Sequence, residues 1–158
     1  MKTNPRVPCL ACETGSLHAK FESYPVRISE HQTIPSDPVR FMKCDNCGDI
    51  IIHGEESKRA DFSAGKNLLK AVVRQEESLN GRAVAFLRSL VSISAKELSL
   101  RLRLDATTVS QWEGRNTVIQ HPTGFAVAVF FLREMAKNKD EFLKEIEELI
   151  LNAFSKVA

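Results

Sequence analysis

Four cysteines stand in two Cys-x-x-Cys pairs, Cys9/Cys12 and Cys44/Cys47, and no cysteine follows them. Two residues between cysteines let both sulfurs reach one tetrahedral ion at about 2.3 Å, and thiolate is the ligand Zn²⁺ favours in closed structural sites. Two such turns separated by strand-like sequence predict a zinc ribbon. One structural Zn²⁺ is expected on Cys9, Cys12, Cys44 and Cys47. The plainer alternatives are two free-thiol pairs or a redox dithiol. His18, His31 and His53 could substitute as ligands, but with four cysteines at hand they read as ordinary surface or strand histidines.

No stretch approaches the roughly 18 uninterrupted apolar residues of a membrane span, and the start MKTNPRVPC has no apolar h-region. A cytoplasmic protein without membrane association is therefore expected. In that compartment thiols stay reduced, which favours a metal over disulfides.

Between the knuckles, Leu17–Tyr24 and Val39–Lys43 show partial period-2 alternation, and Asp49–His53 reads as a short apolar strand. Gln32–Pro38, with its two prolines, reads as loop. Beyond His53 the pattern turns helical. Leu68, Leu69, Val72 and Val73 form one apolar stripe, with Lys66, Lys70, Arg74 and Glu77 elsewhere. Such a segment is a connector helix or a docking helix, and Asn80-Gly81 breaks it.

A 158-residue chain that is 43% apolar can form one ordinary domain or two small ones. Two fit better, because the cysteines stop where the helical patterns begin. The expected fold class is α+β. A small N-terminal zinc ribbon with short strands and two Cys knuckles (1–54) leads through a helical connector (55–80) to an all-α domain with additional C-terminal helices (81–158).

The net charge of +2 is small, but residues 81–115 carry 6 basic and only 3 acidic groups. Phosphate contacts would want that excess there. Arg82–Leu90 carries Val84, Leu87 and Val91 at helical spacing. Ser94-Ala-Lys-Glu97 reads as a capping box, with the Ser94 hydroxyl accepting from the Glu97 amide while Glu97 reaches back. Asp105 is then expected to cap a third helix, Asp105–Gly114, whose inner face is Val109 and Trp112. Ala106, Thr107, Ser110 and Gln111 project on its other side. These are short or amide-bearing side chains suited to a major-groove floor, where Gln pairs with adenine and a methyl meets thymine. Arg103, Arg115 and Asn116 flank the helix as candidate phosphate contacts, and Ser94 joins them at the start of the preceding helix. The plain alternative is the solvated face of a half-buried helix.

Ser94 through Glu113 resembles the phage-repressor-like helix-turn-helix family, often called XRE, whose pattern is T-Q-x-E-L-A-x-x-L-G-V-S-x-x-T-V-S-x-W-E. The likeness is most specific at Val109-Ser-Gln-Trp-Glu113. It implies that Ala106, Thr107 and Gln111 reach bases and that Glu113 pairs with Arg88 on the first helix. Three positions depart from the pattern: Ala95 stands for the phosphate-binding glutamine, Arg103 for the turn glycine and Asp105 for the turn serine. A carboxylate at Asp105 would repel phosphates.

The whole arrangement is similar to the MqsA-type (YgiT-type zinc finger) antitoxins of bacterial toxin–antitoxin pairs. These have two CxxC knuckles, a helical connector, an XRE domain and a His-Pro step matched here by His121-Pro122; Glu55-Glu-Ser57 is also similar. That resemblance implies a ribbon able to bind a toxin protein and a C-terminal domain that dimerises on its own palindromic operator in double-stranded DNA.

Pro122 suits a helix N1 position with His121 as cap. Phe125–Leu132 is apolar throughout and reads as a buried helix or dimer interface, although periodicity alone also permits a strand. Phe142, Leu143, Ile146, Leu149, Ile150, Ala153 and Phe154 mark an amphipathic helix. Homodimerisation through these two segments is expected, with intrachain packing as the alternative.

The reading is a DNA-binding regulator, with a partner-capturing ribbon and secondary DNA binding as the alternative. A closed four-thiolate site has no place for a reactive water, and the sequence shows no Ser/His/Asp set, P-loop or Gly-rich fingerprint. Catalysis is therefore not expected. Oxidation of zinc-bound thiols would still allow redox sensing, since loss of the metal would unfold the ribbon.

Overall fold

The computed structural model describes residues 7–137 and 140–155. The chain is α+β: a four-stranded antiparallel sheet in sequential order, six helices, and a two-stranded ribbon between helices.

The sheet is dominated by one long hairpin, β2 (Ser16–Ser29) and β3 (Gln32–Cys44), which turns at Glu30–His31; β1 (Val7–Pro8) and β4 (Ile50–Ile51) flank its base. Gln32–Pro38, expected as loop, is strand. Its prolines are tolerated because β3 is an edge strand along this stretch, where a missing N–H costs no ladder bond. A register shift between Ser23 and Pro25 accommodates them. There the buried Ser36 hydroxyl accepts from the Tyr24 amide at 3.0 Å and the Ser36 carbonyl accepts from the Ser23 hydroxyl at 2.8 Å. The expected Asp49–His53 strand contracts to Ile50–Ile51, because His53 already precedes a helix.

That helix, α1 (Gly54–Val73), lies along β3. Ala60, Ser63 and Ala64 keep the side facing the hairpin small enough for close approach, and Ala60 and Ala64 pack with Val26, Val39 and Phe41. Glu56 accepts from the Arg40 amide at 3.0 Å, and Ser63 accepts from the Asp37 amide at 2.9 Å. The Asp37 carboxylate in turn takes Lys66 and Asn67, each at 3.2 Å. The last turns of α1 carry the expected stripe: Leu68, Leu69, Val72 and Val73 are buried in the main core. α1 thus belongs to both apolar clusters along its length.

Five further helices close the main core. They are α2 (Gly81–Val91), α3 (Ala95–Arg101), α4 (Thr108–Arg115), α5 (Thr123–Ala136) and α6 (Asp140–Ser155). Between them, β5 (Leu79–Asn80) pairs antiparallel with β6 (Val118–Ile119). Asn80, read as a break, caps α2: its side chain accepts from the Ala83 amide at 2.9 Å and donates to Gln32 on the hairpin at 2.9 Å. Phe125–Leu132 is helical, and Val127, Ala128, Phe131 and Leu132 are buried. Its N-cap is Pro122 rather than His121, so Thr123 takes the N1 position. On α6, Phe142 and Ile146 are buried inside the chain, and Glu145 ion-pairs with Lys70 of α1. Leu143 and Leu151 stay exposed, and the side chain of Phe154 lies outside the described residues. No described helix is long and apolar enough to cross a membrane.

Candidate metal centre and polar helix face

The base of the hairpin brings together the four cysteines expected as ligands. Register places Leu17 opposite Cys44, so the turn after β1 and the turn after β3 meet end to end. The Sγ atoms of Cys9, Cys12, Cys44 and Cys47 all lie within 4.8 Å of one another. Cys9–Cys47 and Cys12–Cys44 stand at 3.7 Å, each a contact between knuckles. The edge of a tetrahedron with arms of about 2.3 Å is about 3.8 Å. This cluster could hold a metal ion.

The backbone is shaped for that task. Cys9 donates its amide to Gly15 at 3.0 Å and accepts from the Glu13 amide at 2.9 Å, which closes the first knuckle; Glu13 takes a left-handed φ of 59° to do so. The amides of Asn46 and Cys47 point at the Cys44 sulfur at 3.4 and 3.5 Å, and the Asn46 side-chain amide reaches the Cys12 sulfur at 3.8 Å. N–H groups aimed at sulfur favour thiolate over thiol. Gly15 is required by space, since a Cβ there would lie 2.4 Å from the Cys44 sulfur. Asp45 accepts from the Ser16 amide at 2.8 Å and meets His18 at 3.1 Å, clamping one knuckle to the other strand. The Ser16 amide, followed by His18, holds the Asp45 carboxyl below its ordinary range.

Four sulfurs this close cannot ionise alike without a cation between them. Backbone hydrogen bonds at Thr14 and Gly15 pull Cys12 down to about 5. At Cys47 the Asp49 amide also acts downward, but desolvation and the sulfurs of Cys44, Cys12 and Cys9 outweigh it and push the thiol up to about 12. None of His18, His31 and His53 joins the cluster: His18 serves Asp45, His31 sits in the hairpin turn and His53 precedes α1.

The second site of interest is α4. Arg88 of α2 grips Glu113 with two hydrogen bonds, at 2.6 and 2.8 Å, and donates to the Ile93 carbonyl at 2.7 Å. Glu113 raises the Arg88 pKa further. Behind the pair, Gly81 lies against the main chain of α4: a Cβ there would sit 1.8 Å from the Trp112 carbonyl oxygen. Val109 is fully buried and Trp112 is half-buried against the core, as expected. Both facts fix the roll of α4 about its axis. Thr107, Ser110, Gln111 and Arg115 are consequently exposed together, beside Ala106 and Arg103.

Several details differ from the sequence reading. The helix starts at Thr108 rather than Asp105, and Thr107 occupies its N-cap without a side-chain cap bond. Asp105 uses its carbonyl, not its carboxylate, to receive the Thr108 amide at 2.9 Å. Ala106 and Thr107 therefore sit in the turn leading into α4. Ser94 does cap α3, accepting from the Glu97 amide at 3.1 Å, but Glu97 does not reach back: its carboxylate takes Arg101 at 2.5 Å. Arg101 also meets Glu134 of α5 at 3.2 Å. Asn116, expected at a phosphate, terminates α4 in a left-handed conformation and accepts the Arg82 amide on its side-chain oxygen at 3.0 Å. Arg103 takes the turn's left-handed position with φ 56°.

Asn80-Gly81 reads from sequence only as a break, and neither the Asn80 cap nor the close approaches at Gly15 and Gly81 is foreseen there. An Asn-Gly pair ahead of an apolar run is a possible N-cap signal. The need for glycine at 15 and 81 arises from residues distant in sequence and leaves no local signature.

No known protein-family profile matches this chain, and comparison with characterised proteins finds no significant match.

Proposed function

We propose that this chain is a sequence-specific DNA-binding regulator of the helix-turn-helix type, with a zinc-held ribbon at its N-terminus. The observation that carries the proposal is the clamping of α4 by Arg88–Glu113 and by the Gly81–Trp112 contact, which leaves a polar face of Thr107, Ser110 and Gln111 between Arg103 and Arg115. α3 and α4 then form the helix pair, with α4 in the major groove. Gln111 is the residue suited to bidentate pairing with adenine, and the Thr107 methyl and Ala106 suit thymine methyls at the helix entrance. Arg103 and Arg115 supply phosphate contacts. Asn116 and Ser94 act chiefly as caps that hold the two ends of the pair.

Zn²⁺ fits the four-sulfur cluster, since the donor set is all thiolate and the spacing between knuckles matches a tetrahedral edge. The ion would supply a covalent tie between the two knuckles and no reactive position. Dimerisation on a palindrome, with half-sites about one helical turn apart, belongs to the same reading. The antitoxin role rests on the resemblance of the chain's plan, with the ribbon as the part that engages a toxin protein.

The test is fluorescence anisotropy of the zinc-loaded protein on its own upstream DNA and on scrambled DNA, at two salt concentrations. Preference for its own DNA, with affinity falling as salt rises, is expected. Equal weak binding to both would overturn the proposal.

A further inference from the structure

The two long strands of the hairpin treat their outer edges differently. On β3 the N–H groups that face away from β2 are occupied: Cys44 donates to Asp49, Met42 lies opposite β4, Arg40 donates to Glu56 and Asp37 to Ser63. Pro35 and Pro38 have no N–H to offer. A short covering strand, acceptors from α1 and two prolines together block that edge.

Among the described residues the other side is open beyond Leu17. The same alternation directs the N–H and C=O groups of Leu17, Ala19, Phe21 and Ser23 away from β3. Leu17 uses this direction to pair with β1, and among the described residues β1 pairs only with Ser16 and Leu17. Among the described residues, Ala19, Phe21 and Ser23 thus present a short unpaired edge. Phe21 is 67% exposed, and the flanking Lys20 and Glu22 are exposed and make no ion pair among the described residues.

We propose that this edge pairs antiparallel with the same edge of a second copy of the chain, on a two-fold axis at Phe21. The sequence Ala19-Lys-Phe-Glu-Ser23 is self-complementary in that register. Phe21 faces its counterpart, Ala19 faces Ser23 of the copy, and Lys20 faces Glu22 of the copy, with the same ion pair repeated across the axis. The outward N–H and C=O groups of Ala19, Phe21 and Ser23 all find partners. A two-fold interface demands that one patch serve both subunits, and a strand with a central aromatic and opposite charges one residue to either side meets that demand. This interface involves neither α4 nor the cysteine cluster and stands apart from the DNA-binding reading.

Sedimentation velocity of the zinc-loaded full chain, from micromolar to several hundred micromolar, tests it. Lys20→Glu sets two carboxylates against each other at each end of the pairing, and Glu22→Lys sets two ammonium groups together. Each is expected to weaken one association step about tenfold, while K20E/E22K restores the opposite-charge pairing and the association. Phe21→Pro is expected to abolish the step, because it removes a central N–H that the monomer's own ladder does not use. Unchanged circular dichroism and zinc content would show that each variant is folded. If dimerisation also occurs through the helices, the edge contributes a second step. Absence of any step sensitive to these variants, or failure of the double variant to recover, would overturn the proposal and leave the edge to a strand of a different protein.

Discussion

Arg88 meets Glu113 in a two-pronged pair that joins α2 to the last turn of α4, with each side chain about one-fifth exposed. Cutting one member leaves the other half-buried and unpaired. Glu113→Ala is therefore expected to destabilise the chain by about 2 kcal/mol, less than the full cost at a wholly buried site. Arg88→Lys keeps the charge but loses the fork, and is expected to fall between the two. Urea unfolding of the three proteins checks the ranking; equal midpoints would mean that the pair does not hold α4.

Gly81 faces main-chain atoms, which cannot rotate away. A methyl there would lie 1.8 Å from the Trp112 oxygen and 2.8 Å from the Glu113 Cα. Gly81→Ala must separate α2 from α4, at an expected cost of about 3 kcal/mol. The thermal midpoint should fall, and DNA binding should weaken with it. Native stability in the variant would show that the two helices do not depend on this contact.

Ser99 lies wholly inside α3, and its hydroxyl has no hydrogen-bond partner among the described residues. Replacing an unsatisfied buried hydroxyl by hydrogen removes a desolvation penalty and opens little space. Ser99→Ala is expected to stabilise the chain by about 1 kcal/mol. A loss of stability on denaturant titration would mean that the hydroxyl has a partner after all.

Arg103 holds a left-handed backbone conformation that costs a side-chain-bearing residue about 1 kcal/mol. Arg103→Gly is expected to raise stability by about that amount while reducing affinity for all DNA sequences alike and lowering the salt slope by about one. The opposing signs distinguish strain from function. A variant that gained stability and bound DNA as before would remove Arg103 from the proposed phosphate contacts.

With zinc in the cluster as proposed, chelation is expected to disorder the knuckles, because metal binding and folding of such a cluster are coupled. Gly15→Ala should reproduce much of this by displacing the Cys44 sulfur. Zinc content by emission spectroscopy, with near-ultraviolet circular dichroism, checks both. Full zinc occupancy in the variant would contradict the crowding argument.

The cysteine cluster could be read from sequence because two-residue spacing is a local constraint that needs only a turn. The stripe on α1 and the burial of Val109 were equally accessible, since helical periodicity carries them. Of the hairpin, Leu17–Tyr24 and Val39–Lys43 were legible as strands, but its far half was not. Pro25, Pro35 and Pro38 imitate loop composition, and the register shift at Ser23–Pro25 changes which residues face inward, so alternation fails midway. The start of α4 was misjudged because a carboxylate at Asp105 is a good cap signal, whereas the chain uses that residue's carbonyl. Asn116 reads by its flanking position as a candidate phosphate contact, whereas its side-chain oxygen accepts the Arg82 amide at a left-handed helix end.

α1 gives its first half to the hairpin and its second half to the helical core. That sharing limits how such a chain can be recombined over evolution. A ribbon transplanted onto another helical body must bring this helix with it, and the new body must already suit Leu68, Leu69, Val72 and Val73. A join between such parts has to fall beyond the far end of the helix rather than within it.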